Sequence, residues 1–320
     1  MWTLAGVGAL TVMSIAAAER NGPRAEFWGF AAPWDPRSAQ SVQAHGGQLS
    51  AIVTGWFALD SVSASPMTLY PDTVHVPAST RRFALVTTYV LDRFHPEVLR
   101  QLATDPIRLA QVAGQIADMA SGGGYRGLVL DFEGLTPADT AALTTVVQAV
   151  ADSAHGRHIS PVAVAVPPAD TVAYGARVLQ GADLILVMLY DEHWATSSPG
   201  AIASPEWVQR LLDARIAEAG ADRIVASLPS YGYEWTPGAT AAVISYGDAE
   251  RFARDAGLGL ARDSASETLY AARPDSAEVW VSDARLLQKL VADAERKGVT
   301  RFAFWRLGTE DPKTWDHVIE

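Results

Sequence analysis

From Phe27 onward, short runs of apolar and β-branched residues alternate with longer stretches of helical periodicity. Eight runs have the length of strands: Phe27–Pro33, Ala51–Leu59, Arg82–Val90, Gly127–Glu133, Ile159–Val166, Leu184–Leu189, Ile224–Pro229 and Thr300–Trp305. Between them, Pro96–Met119, Pro137–Ser153, Pro205–Ala219 and Asp283–Lys297 read as helices. Thr136 before Pro137 and Ser204 before Pro205 suit an N-cap followed by proline in the first turn. Strands that alternate with helices imply parallel pairing, and near-continuous apolar strands are covered on both faces. Eight such units predict an α/β fold, a (β/α)8 TIM barrel. A doubly wound open sheet fits less well, because no G-x-G-x-x-G follows the first strand. Gly122-Gly123-Gly124 precedes its strand and reads as a helix-to-strand turn. The spacing is irregular at Thr236–Val281, between strands seven and eight. Ala242–Tyr246, a helical Asp248–Ala256, and a hairpin of Thr268–Ala272 with Glu278–Val281 predict a small α+β insertion there.

The fourth strand ends in two carboxylates. Side chains alternate along a strand, so Asp131 and Glu133 share a face while Phe132 takes the other. Placing two acids side by side raises their affinity for a proton, which is useful where a proton must be held near neutral pH and then donated. In a barrel the active site forms at the C-terminal strand ends. Those ends carry Pro33-Trp34-Asp35, Trp56, Tyr89, Pro167-Pro168, Met188-Leu189-Tyr190-Asp191, Pro229-Ser230-Tyr231-Gly232-Tyr233 and Trp305-Arg306. Such a cluster of aromatics suits sugar rings, whose apolar C–H faces stack on aromatic faces while their hydroxyls need polar partners.

Composition narrows the partners. A net charge of −11 argues against nucleic acid and polyanionic substrates, and is compatible with a neutral or partly cationic polymer. With no cysteine and no metal-binding His spacing, neither a metal nor a cofactor is inferred. Residues Trp2 to Ala18 are apolar or small and uncharged, and Ala16-Ala17-Ala18 resembles a cleavage signal. The segment lacks a basic start and is short for a spanning helix. It reads as a signal peptide with a misplaced start, a short membrane anchor, or the remnant of a transmembrane segment. Residues 1–20 are therefore expected to direct export, secreted or membrane-anchored, ahead of a barrel over residues 25–320.

At these strand ends the chain resembles glycoside hydrolase family 18, the chitinase-like barrels. Gly127-Leu128-Val129-Leu130-Asp131-Phe132-Glu133 is similar to the family's strand-four signature, and Met188-Leu189-Tyr190-Asp191 to its strand-six M-x-Y-D block. Leu228-Pro229-Ser230-Tyr231-Gly232 is similar to the strand-seven L-P-x-Y-G block. Phe304-Trp305-Arg306-Leu307-Gly308, with Glu310-Asp311 and Trp315, is similar to the strand-eight W-x-L-G-x-E-D block. The last block, with Trp280-Val281-Ser282-Asp283, most resembles the spore-cortex hydrolase-like branch and the branch fused to polysaccharide deacetylases and glycosyltransferases. Association with such polysaccharide-modifying enzymes is a further implication.

The resemblance implies hydrolysis of an N-acetylglucosamine-containing polysaccharide (chitin, peptidoglycan or poly-N-acetylglucosamine) by a retaining, substrate-assisted mechanism, outside the usual two-carboxylate scheme. It implies Glu133 as general acid, Asp131 as the group that orients the acetamido N–H, and Tyr190 as a donor to the acetamido carbonyl. Trp305 becomes the floor of the cleavage subsite and Asp191 a sugar or Glu133 contact. Met188, Tyr231, Trp34, Trp56 and Tyr89 complete the expected substrate-binding set. Two about 3.3 Å steps along a strand separate the two acids, too little for a water opposite the acid. Two departures stand out: Arg126 and Val129 replace two of the family's acids. Without an acid beneath it, Asp131 is expected to be ionised over most of the working range. The competing functions are a carbohydrate-binding chitinase-like protein with little turnover, and an unrelated barrel hydrolase using Glu133 with another acid.

Overall fold

A computed structural model describes residues 25–176, 179–274 and 277–319. The expected leader, residues 1–20, lies outside the described residues. Eight parallel strands close into a barrel: β1 (Glu26–Phe30), β2 (Ala51–Leu59), β3 (Arg81–Thr87), β4 (Gly127–Asp131), β5 (Val162–Val166), β6 (Leu184–Met188), β7 (Ile224–Pro229) and β8 (Arg301–Trp305). Each pairs with its neighbours in chain order, and β1 pairs with both β2 and β8, which closes the ring. The predicted barrel is present, strand for strand.

Helices α1 (Pro36–His45), α2 (Pro96–Thr104), α3 (Pro106–Gly122), α4 (Thr140–His155), α5 (Pro205–Ala219), α6 (Tyr246–Asp255) and α7 (Ala284–Glu295) follow. The stretch expected as one helix over Pro96–Met119 is two. A proline inside a helix has no N–H to donate and disfavours the helical region for the residue before it. Asp105 accordingly turns extended, ends α2, and caps α3 by accepting the Arg108 N–H at 2.9 Å. Two crossovers depart from the simple pattern. An antiparallel strand, Pro66–Tyr70, pairs with β2 on the way to β3, and the described residues between β5 and β6 form turns.

The apolar alternation divides the core in two. Trp28, Phe30, Val53, Leu85, Val129, Ala163, Leu186, Val225 and Ala303 fill the barrel interior. Leu128, Leu130, Val162, Val164, Ile185 and Val187 face the surrounding helices. This is the reason the strands read as continuous apolar runs. Among the described residues no helix is long and apolar enough to cross a membrane.

Between β7 and β8 stands an antiparallel sheet ordered Ala242–Ile244, Gly232–Trp235, Glu278–Val281, Leu269–Ala272, Ala261–Arg262. It starts earlier than the predicted insertion, because Gly232–Trp235 belongs to it. Gly232 is required there, since a Cβ would meet the Trp280 carbonyl oxygen at 2.3 Å. One face of this sheet packs on α6 through Ile244, Phe252, Val279 and Val281. The other carries Tyr233 and Trp235, which pack with Ile202 and Tyr231 against Tyr190 and Trp305. The insertion thus supports one wall of the barrel mouth.

Candidate active site

A cleft of about 700 Å³ opens at the C-terminal ends of the strands. Trp34, Trp56, Tyr89, Asp131, Glu133, Met188, Tyr190, Asp191 and Trp305 all line it. Nine of the ten residues expected at the site therefore converge there. Tyr231 is the exception. It is buried behind the wall, where its hydroxyl donates to Asp191. It is placed to hold Asp191, and the expectation of direct sugar contact is corrected accordingly.

β4 points Val129 and Asp131 to the same side, into the barrel, and Leu128 and Leu130 to the helices. Asp131 is the last residue of the strand, paired in register with Thr87 of β3. Glu133 lies beyond it, so the strand is two residues shorter than predicted. The chain turns away at Gly134, whose positive φ of 72° ends the extended run. Phe132 faces the outer core and is fully buried, so the alternation still sends Glu133 to the Asp131 side.

The electrostatics follow from this geometry. Burial raises the Asp131 pKa, while the Thr87 hydroxyl and Glu133 partly oppose the shift by hydrogen bonding to its carboxylate. Thr87 also accepts the Tyr89 N–H at 3.0 Å, so its own O–H is free to turn toward Asp131. Glu133 is raised further, first by burial, then by the charges of Asp131 and Asp191. A proton shared by this pair resides on Glu133 and is donated toward Asp131. The expectation that Asp131 ionises freely because Val129 lies beneath it is corrected. Among the described residues no acid lies in that layer, but desolvation raises the pKa without one.

The two acids face an aromatic enclosure. Trp305 at the end of β8 packs edge-on against Phe30 at 5.4 Å and lies nearly parallel to Tyr190 at 6.5 Å. Trp56 donates its indole N–H to the Ala31 carbonyl at 2.9 Å and meets Trp34 edge-on at 5.1 Å. Asp191 adopts the left-handed region, φ 63°, and also accepts from the Tyr233 hydroxyl at 3.1 Å. A non-glycine residue in that conformation is uncommon and is found most often where the surroundings fix it. Beside Trp34, Asp35 accepts from Arg306 at 2.8 Å and from Arg37 at 2.8 and 2.9 Å. These bonds, the Arg37 one foremost, hold its carboxyl well below the usual range.

Some lining residues carried no clear signal in the sequence. Tyr70 reaches the cleft from the strand Pro66–Tyr70 and packs on Trp34 at 5.7 Å. Its Pro-Met-Thr-Leu-Tyr run was short but alternating, and could have been read as a strand. Leu91 and Phe94 come from a small hairpin, Tyr89–Val90 with Arg93–Phe94. Trp207 enters from the first turn of α5 and had no distinguishing signal. Conversely, Glu310 and Asp311 of the strand-eight block are structural. Glu310 accepts from Ser41 on α1, and Asp311 accepts the first N–H of α7 at 3.1 Å.

Comparison with known proteins finds the same fold. The Bacillus cereus spore cortex-lytic enzyme SleL superposes with a TM-score of 0.83 at 18% identity, over 92% of this chain and 74% of that one. A GH18 chitinase from Cycas revoluta in complex with (GlcNAc)3 superposes with a TM-score of 0.78 at 16% identity, over 92% of this chain and 98% of that one. These structures share the (β/α)8 barrel fold of this chain. In sequence, the chain is 22% identical to the uncharacterized glycosylase YvbX of Bacillus subtilis over 254 residues, 74% of each protein. It is 23% identical to the cortical fragment-lytic enzyme of the same organism over 258 residues, and the match spans 59% of that enzyme's length. No family model matches the chain.

The position of Val129 yields a test. It is fully buried in the barrel interior, directly below Asp131 on the same strand face. Val129→Asp buries a second carboxyl beneath Asp131, at a stability cost above the roughly 1–3 kcal/mol of a buried neutral polar group. It also raises the Asp131 pKa by like-charge repulsion and broadens the acidic limb of the pH–rate profile. Thermal melts and kcat/KM profiles that superimpose on wild type from acid to neutral pH would contradict this strand register.

Proposed function

We propose that this chain is a retaining glycoside hydrolase that cleaves N-acetylglucosamine-containing polysaccharide with the help of the substrate's own 2-acetamido group. The observation that carries the reading is the Asp131–Glu133 pair on the cleft floor, where burial and two neighbouring negative charges keep the proton on Glu133. Glu133 protonates the glycosidic oxygen as the bond to the leaving sugar breaks. The acetamido carbonyl oxygen attacks the anomeric carbon from the opposite face and forms an oxazolinium ion. Asp131 takes the acetamido N–H and stabilises the positive charge. Water then opens the ring, giving its proton to Glu133. Both displacements invert, so the product keeps the β configuration.

The enclosure fits this chemistry. Trp305 offers a flat apolar floor, and Trp34, exposed by 48%, offers a further stacking face toward the mouth. The names of SleL and the cortical fragment-lytic enzyme favour peptidoglycan among the candidate polymers, and with it an extracytoplasmic location. The Cycas revoluta complex supports an N-acetylglucosamine oligomer as the ligand of such a cleft.

The test is product analysis on fully acetylated and deacetylated glucosamine polymers and on peptidoglycan, with the anomer followed by NMR. The expected result is cleavage only next to acetylated residues, with the β-anomer formed first and a thiazoline analogue of the intermediate inhibiting. An initial α-anomer, or equal turnover of substrates lacking the acetamido group, would overturn the mechanism.

Tyr190 supplies a second check. Burial holds the Tyr190 pKa well above the usual value, and the neighbouring acids add to the rise, so it remains a donor. Tyr190→Phe removes one donor from a charge that develops during the reaction, expected to lower kcat by about 10²-fold with little change in KM. A raised KM at unchanged kcat would make Tyr190 a ground-state sugar contact instead.

A further inference from the structure

Glu133 sits on a turn beyond the end of β4, so no strand ladder holds it. A single buried hydroxyl grips that turn on both sides of Glu133. The Tyr174 hydroxyl donates to the Phe132 carbonyl at 2.9 Å and accepts the Leu135 N–H at 3.2 Å. Tyr174 is 1% exposed, and its closeness to the two acids adds to the rise of its own pKa, which burial causes in the main. It does not line the cleft, so it does not touch the sugar.

Tyr174 comes from the turns between β5 and β6, a segment with no helix among its described residues to fix it. That segment is wrapped around Arg215 of α5. The Arg215 guanidinium is fully buried and donates to the carbonyls of Pro167 at 2.6 Å, Pro168 at 3.2 Å, Asp170 at 2.6 Å and Tyr174 at 3.0 Å. Glu218 compensates its charge, accepting from Arg215 at 3.0 Å and, through its other oxygen, from the Ala176 N–H at 2.8 Å. A planar fork of five donors can satisfy several carbonyls at once, which a lysine ammonium cannot reproduce.

We propose that Tyr174, held in place by Arg215, is a positioning residue for the Glu133 acid, setting where its proton is delivered. This rests on the reading of Glu133 as general acid. A misplacement of about 1 Å at a reacting group costs on the order of 10²-fold in rate. A lost grip on the turn should therefore appear in proton delivery and leave sugar binding intact.

The test compares two aryl glycosides of N,N′-diacetylchitobiose. The phenyl glycoside needs protonation to depart, and the 2,4-dinitrophenyl glycoside does not. Tyr174→Phe is expected to lower kcat/KM, which reports bond cleavage and not the later water step in which Glu133 acts as base, about 10- to 100-fold on the phenyl glycoside, with KM within about twofold, and to leave dinitrophenyl kcat/KM within about threefold. Arg215→Lys should show the same leaving-group dependence, more weakly. Equal losses on both substrates, or no loss on either, would overturn the proposal. Glu133→Gln run in parallel separates the two readings. If it too is insensitive to the leaving group, Glu133 is not the acid. If it alone is sensitive, Glu133 stands and the positioning role of Tyr174 fails.

Discussion

Replacing Glu133 with Gln is expected to leave the barrel and ligand binding nearly intact and to lower kcat on polymer by at least about 10²- to 10⁴-fold, the usual contribution of general acid catalysis. The amide keeps the shape and loses the transferable proton. The same variant makes a stability prediction of definite sign. Burial and the Asp131 and Asp191 charges raise the Glu133 pKa above its unfolded value. The folded state therefore binds this proton more tightly, and the resulting stability is fully present below the ordinary glutamate pKa. It is lost as pH rises through the folded pKa. Glu133→Gln removes that dependence, so its melting temperature should exceed wild type at neutral and alkaline pH and approach it in acid. Retention of more than a tenth of wild-type kcat would remove Glu133 from the acid role. A variant less stable than wild type at every pH would contradict the electrostatic account.

Asp131→Asn should cost about 10²- to 10³-fold in kcat, as loss of a preorganised group facing developing charge generally does. It keeps the shape but removes the negative charge next to the oxazolinium. It should also shift the pH profile. Asp131 is one of the charges that raise Glu133, so without it Glu133 loses its proton at lower pH. On the proposed mechanism the activity requires protonated Glu133, and the alkaline limb of kcat/KM should move toward acid. An alkaline limb that stays in place would show that the Asp131 charge does not bear on the acid.

Both predictions depend on the Asp131–Glu133 pairing, which was legible because strand alternation is a local rule. The i, i+2 spacing placed the two acids on one face whether the strand ended at Asp131 or Glu133. Trp56 is a different case. Val53 faces the barrel interior, so simple alternation would send Gly55 and Phe57 inward and Trp56 out. The ladder between β2 and β3 shifts register between Val53 and Gly55. This bulge reverses the parity, bringing Trp56 into the interior set and Phe57 to the outer one. Gly55 fits there because a Cβ would meet the Tyr125 ring at 2.5 Å. Nothing within residues 51–59 announces a Tyr125 that arrives seventy residues later.

Tyr231 and Tyr174 show the same limit. Tyr231 shares the strand-end signal of the residues around it, yet the insertion sheet packs over it and leaves it to hold Asp191. Tyr174 carries no motif, and its grip on the Glu133 turn depends on Arg215, 41 residues away. The sequence by itself determined the eight parallel units, the insertion, the two acids on one face and the aromatic mouth. Each follows from periodicities or strand-end positions within a few residues. The tertiary structure alone decided the parity of Trp56, the burial that raises Asp131 without an acid below it, and which tyrosines line the cleft or lie behind it. Those depend on which distant segments pack together, and on how much water that packing removes.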